Sequence, residues 1–280
     1  MALPASSGTS GLGGAWKIIP VLALAFVLAG LAACSKNKGE RVVVAEIGFL
    51  YNEGVKYIER RDYPQAARFF GEVERQYPYS EWARRAQLMA AYAQYMQNDY
   101  DEAILSAQRF LALHPGNPSA PYAYYLVALC HYEQITDVGR DQRTTEDALQ
   151  ALREVVQRFP GTPYAEDAAL KVDLTRDHLA GKEMEVGRWY QKNGQYLAAL
   201  LRFRTVIDRY QTTTHTPEAL HRLVETYLAL GITEEAVKAG AVLTYNFPDS
   251  KWTRYSYRLL TNQNLGPGGE LKKKKFLGIF

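Results

Sequence analysis

The residues whose types and spacing most clearly promise chemistry are Leu31-Ala32-Ala33-Cys34: a large apolar side chain, two small ones and a thiol. Small residues let a peptidase close on the bond before Cys34, and the thiol can accept a diacylglycerol. A polar stretch with one cation, Lys17, leads into the apolar run Ile18 to Gly30. That run is short of the roughly 20 residues a bilayer span needs and reads as a signal-peptide core. The expected processing removes residues 1–33 and leaves an acylated Cys34. Several acyl chains, each methylene contributing about 0.8 kcal/mol on burial, make such an anchor effectively permanent.

No other group of residues builds a reaction centre. The histidines, His114, His131, His178, His215 and His221, lack metal-ligand spacing, and His114 stands where other segments place a ring before a proline. Ser35-Lys36-Asn37-Lys38 matches a Ser-x-x-Lys string without its companion motifs or a pocket to activate the serine. Gly11 to Gly14 leaves with the signal. The carboxylate pairs Glu146-Asp147 and Glu234-Glu235 fall where helices begin, which favours the helix dipole. Cys130 is the one remaining cysteine, so no disulfide framework exists and stability must come from packing. A net charge of +3 gives no reason to expect nucleic acid. The expectation is a protein that is not an enzyme, with no metal and no cofactor beyond the lipid on Cys34.

The elements that position everything else come from a repeat. Five segments align: Tyr63 to Pro78, Tyr100 to Pro115, Thr145 to Pro160, Tyr196 to Gln211 and Thr233 to Pro248. In each, an alanine (Ala66, Ala103, Ala148, Ala199, Ala236) precedes the proline or Gln211 by twelve residues. An apolar residue (Val73, Phe110, Val155, Val206, Leu243) precedes it by five and a ring by one. Each segment is an amphipathic helix of about 15 residues stopped by proline. Twelve residues before four of the alanines stand Gly54, Ala91, Gly187 and Val224, followed three residues on by Tyr57, Tyr190 and Tyr227 in three cases.

This spacing resembles the tetratricopeptide repeat, with Gly54, Tyr57, Ala66, Phe70 and Pro78 fitting it fully. The expected fold is all-α, a right-handed superhelical stack of about five irregular tetratricopeptide helix pairs. The alanines are spaced 37, 45, 51 and 37 apart, which predicts a polar insertion at Thr136 to Arg143 and an extra helix over Tyr164 to Ala180. The chain divides into a signal peptide (1–33), a lipid-anchored linker (34–44), repeats one to three (45–160), the extra helix with repeats four and five and a closing helix (161–262), and a flexible basic tail (263–280) carrying Lys272 to Lys275.

The lipobox, the five irregular repeats and the recurring junctions Tyr77-Pro78-Tyr79-Ser80, Phe159-Pro160-Gly161-Thr162 and Phe247-Pro248-Asp249-Ser250 together resemble the BamD family. The resemblance covers residue 31 to about 260. It implies an essential lipoprotein subunit of the machinery that folds β-barrels into the outer membrane. The partners it implies are a BamA-type insertase bound through its POTRA domain, other assembly lipoproteins and unfolded outer-membrane proteins. Ser35 after the cysteine is similar to lipoproteins that leave the inner membrane, so the expected address is the periplasmic face of the outer membrane, anchored by lipid. Another periplasmic repeat lipoprotein, such as a secretin pilot or a cell-division coordinator, is the alternative the residues leave open.

In such stacks the first helices line a concave face. Projected on that template, Tyr51, Val55, Ile58, Arg85, Leu88, Tyr92, Tyr95, Tyr122, Tyr125, Leu129 and Tyr132 make an aromatic inner wall, suited to an extended peptide with alternating aromatic side chains. By resemblance this is the client groove, with Tyr51, Leu88, Tyr92, Tyr95, Tyr122, Tyr125 and Tyr132 as its site residues. In repeats four and five the same projection gives Met184, Arg188, Gln191, Glu218, His221, Glu225 and Leu228, a polar rim. With Arg202 and Arg204 from the second helix of repeat four, Arg188, His221 and Glu225 form the expected partner interface. Replacing the acyl acceptor tests the anchor: a Cys34→Ala chain is expected in the detergent-free soluble fraction after cell fractionation, whereas the unaltered chain sediments with membranes.

Overall fold

The computed structural model describes residues 46–265. Cys34, the signal peptide, the linker and the tail beyond Leu265 lie outside the described residues. Eleven helices occupy the described chain: α1 (Ile47–Glu59), α2 (Tyr63–Gln76), α3 (Glu81–Met96), α4 (Tyr100–Leu113), α5 (Ala120–Glu133), α6 (Arg143–Arg158), α7 (Pro163–Lys192), α8 (Tyr196–Arg209), α9 (Thr216–Ala229), α10 (Thr233–Asn246) and α11 (Lys251–Asn262). Each helix packs on its sequence neighbour, and α1 touches α3, α3 touches α5 and α5 touches α7. Helices that pair in order and also contact their second neighbours form a helical repeat stack, here five pairs and a closing helix.

Packing explains the repeated residues. All five aligned alanines are wholly buried, and the apolar residues seven positions later are at most 1% exposed. In the first and fourth pairs the partner helix approaches so closely that its facing residue has no room for a side chain. A Cβ built on Gly54 would stand 2.7 Å from Cε1 of Phe70, and one on Gly187 would stand 2.5 Å from Cε1 of Phe203. The buried ring fills the space that the glycine leaves, so helix pair and core form together.

The junction motif has a local cause. Ser80 accepts a hydrogen bond from the Ala83 amide and donates its own to the Tyr77 carbonyl at 2.8 Å. Thr162 does the same with Ala165 and Phe159, and Ser250 caps α11 through the Trp252 amide. The hydroxyl therefore ends one helix and starts the next, satisfying otherwise orphaned backbone groups at both. Within four of the five pairs the turn repeats too. Arg61, Asn98, Gly194 and Gly231, each five residues before its alanine, adopt positive φ between 60° and 75°, a left-handed turn that glycine and asparagine adopt at little cost.

The extra helix and the first helix of repeat four are one 30-residue element, α7. Thr162 caps it, Pro163 occupies the first turn, where a missing amide costs nothing, and no proline follows before Lys192. Gly181 and Gly187 do not break it, because His215 packs over the first and Phe203 over the second. At 1.5 Å per residue α7 is about 45 Å long. Gly187→Ala is expected to force Phe203 from its site and lower stability by about 1–3 kcal/mol, the usual range for overpacking, measured as a fall in the thermal midpoint by circular dichroism.

Candidate peptide-binding groove

An open groove of about 960 Å³ lies across the first repeats. Tyr51, Leu88, Tyr122 and Arg85 line it, joined by Arg84, by His114 and by Tyr164. Its floor is the core of the second pair, Leu88 and Phe110, both nearly inaccessible. Tyr51 is fixed edge-on to Phe70 at 5.4 Å and to Trp82 at 4.9 Å, which holds the wall without a conformational cost on binding.

The wall continues along α5 and α7. Tyr122 and Tyr125 each meet the Tyr164 ring, with centroids 5.6 and 5.5 Å apart. Tyr95 packs beside Tyr122 against Ala91, Ala107 and Leu126, and its ring lies 5.9 Å from Tyr100. Tyr125 donates its hydroxyl proton to Asp167, whose carboxylate also takes the Lys171 ammonium at 2.7 Å. The ammonium lies 5.6 Å from the Tyr132 ring, a cation–π contact that ties the last predicted tyrosine to the same knot. Tyr92 is half-buried on α3, close enough to influence Tyr122 electrostatically. The structure thus draws Tyr95, Tyr122, Tyr125 and Tyr132 together with Tyr164, Asp167 and Lys171 of α7. These three were invisible to the repeat template because they sit in the segment that it treats as an insertion.

These phenols stay protonated. Burial, reinforced by Glu133, pushes Tyr95 up to about 12. Burial also raises Tyr122 strongly, and burial with the Asp167 carboxylate raises Tyr125. Each hydroxyl therefore remains a hydrogen-bond donor wherever the fold survives. Cys130 is buried among them with its thiol pushed up to about 12 by burial, so it packs and does not react. Among the described residues no cluster of three His, Cys, Asp or Glu side chains could hold a metal ion.

The polar face of repeats four and five is organised differently from the projection. His221 is 5% exposed, its Nδ1 2.8 Å from the Ser256 hydroxyl and its ring 5.2 Å from Trp252, so it faces the closing helix and cannot meet a folded partner. Met184 is wholly buried beside Phe203 and Leu223. Arg188 pairs with Glu218 at 3.2 Å, and Arg222 bridges Glu218 and Glu225 at 3.4 and 2.8 Å. Gln191 donates to Glu225 at 3.1 Å. Arg188 and Glu225 thus belong to a network that clamps α7 to α9, which the Arg222 guanidinium, 5.6 Å from the Trp252 ring, and the His221–Ser256 bond extend to α11. Arg202 holds α8 to α7 through Glu183 at 3.2 Å, whereas Arg204 stands exposed.

Residues 46–243 match the outer membrane lipoprotein family YfiO. The chain is 55% identical over 252 residues to the outer membrane protein assembly factor BamD of Caulobacter vibrioides, covering 89% of this chain and 83% of that one. Its identity to the factor of the same name from Rickettsia prowazekii is 46%, over 86% of this chain and 95% of the relative. The Neisseria meningitidis serogroup A factor is 34% identical, with 75% and 82% covered. Among solved structures, a thermophilic TPR protein of Thermus thermophilus covers 78% of this chain and is itself fully covered, at 19% identity and a TM-score of 0.36.

The clamp makes a pH prediction. Burial raises the Glu225 carboxyl, but hydrogen bonds and charge from His221 and Arg222 outweigh it and hold the group at about 2, below its ordinary 4.5. A depressed carboxyl contributes stability that is complete above the ordinary value and is lost as pH falls towards 2. Glu225→Gln is expected to lower the thermal midpoint at neutral pH and to flatten its decline between about pH 5 and pH 2, recorded by scanning calorimetry.

Proposed function

The chain belongs to the BamD family of outer membrane protein assembly factors, and we propose that it serves this machinery as a non-catalytic scaffold, lipid-anchored through Cys34 at the periplasmic face. The groove of α1, α3, α5 and α7 takes the C-terminal segment of an unfolded outer-membrane protein, and the face around Arg204 and the clamp of repeats four and five takes the POTRA region of a BamA-type insertase.

The observation that carries the client reading is the aromatic wall. Rings pinned by one another lose little entropy when a peptide arrives, and the Tyr51 and Tyr122 hydroxyls, whose acidity burial suppresses, can donate to a peptide backbone. Alternating side chains of an extended strand project to one side every second residue, so aromatic residues at that spacing can seat between successive tyrosines. The membrane anchor would keep such a site close to the surface at which barrels insert. No helix among the described residues is long and apolar enough to cross a membrane.

Gentle solubilisation and affinity capture through a tag placed after Lys275 tests both arms. The expected result is near-equal recovery of a POTRA-containing insertase together with unfolded outer-membrane proteins. The double substitution Tyr122→Ala and Tyr125→Ala is expected to lose the clients and keep the insertase. Recovery of a secretin or a division protein in place of the insertase would overturn the reading.

A further inference from the structure

We infer that Arg85 reads the free carboxylate at the end of the bound peptide, so that the groove selects a chain terminus over an internal strand. The inference rests on the client reading of the same groove and adds to it a chemical class of ligand end.

Arg85 is exposed on α3 and lines the groove. Its guanidinium lies 6.0 Å from the Trp82 ring, and its charge offsets part of the rise that burial causes in the Tyr51 phenol, which places it beside the edge-on Tyr51–Trp82 pair. The other charged groups lining the groove are Glu81, Arg84 and His114. Glu81 is turned to solvent and taken by Arg84 at 3.0 Å. Among the described residues no carboxylate pairs with Arg85, although eleven of the thirteen ion pairs here do engage an arginine or lysine one helical turn or one helix away. A planar, five-donor fork beside an aromatic ring, in a peptide-sized groove and without an internal acid, complements a carboxylate. An internal strand passing through the groove offers only a neutral carbonyl there, a weaker acceptor for the guanidinium than a carboxylate.

Fluorescence anisotropy with two otherwise identical labelled peptides, alternating in aromatic residues and ending in either a free carboxylate or a carboxamide, tests this on the full chain carrying Cys34→Ser to remove the acyl group. The expected result is about tenfold tighter binding of the acid form, in line with one charge-assisted pair in a partly exposed site. Arg85→Gln is expected to erase the preference by weakening only the acid form, and Arg85→Lys to restore part of it. Equal binding of both peptides to the unsubstituted groove, or a preference that survives Arg85→Gln, would overturn the inference while leaving the client reading in place. Failure of both peptides to bind would overturn the client reading and the inference with it.

Discussion

The close crossing of paired helices is the constraint on which this molecule depends. A repeat buries its apolar stripe only if two helices approach within the reach of a single ring, and that requires a residue with little or no side chain on one helix and a large one on the other. Phe70 against Gly54 and Phe203 against Gly187 show the requirement in its tightest form. The five buried alanines repeat it in milder form along the stack. Because each pair rests on its neighbour, the groove of the first repeats inherits its shape from these crossings, including the buried floor beneath Leu88.

The same packing separates the two halves chemically. In the first half, tyrosines on α3, α5 and α7 turn their rings towards one another and leave a shared apolar surface edged by hydroxyls. In the second, arginines and glutamates that would otherwise face solvent are drawn into a clamp between α7, α9 and the closing helix. Aromatic contacts suit a surface that must receive a ligand without rearranging. Paired charges suit an end that must be sealed, since a stack without a polar cap exposes the face its next repeat would cover.

How far the sequence told this depended on whether a feature was local. The helix pairs were legible because Ala66, Val73 and Tyr77, with their four counterparts, recur at fixed offsets, and a helix converts such offsets into one buried face. The aromatic wall was legible for Tyr122 and Tyr125, which sit on a first helix of ordinary length. Tyr164 and Asp167 were not, because a repeat template assigns them to an insertion, and the missing stop signal after Pro163 is a weaker cue than a present one. His221 was misplaced for a different reason: its partner Ser256 lies 35 residues away in a helix that belongs to no repeat. The junction motif was visible as a recurrence, but its meaning, one hydroxyl serving two helix ends, emerged only with the backbone around it.

The unbroken course of α7 changes what a load on this chain can do. Tyr164 and Asp167 stand in its first two turns, and Arg188 and Gln191 stand in its last. A rod of about 45 Å with no hinge ties those two ends at a constant offset and a constant rotation. The chain therefore behaves as a jig: whatever sits at one end of α7 stands at a preset distance and angle from whatever sits at the other, and the alignment is built in by the covalent continuity of one helix.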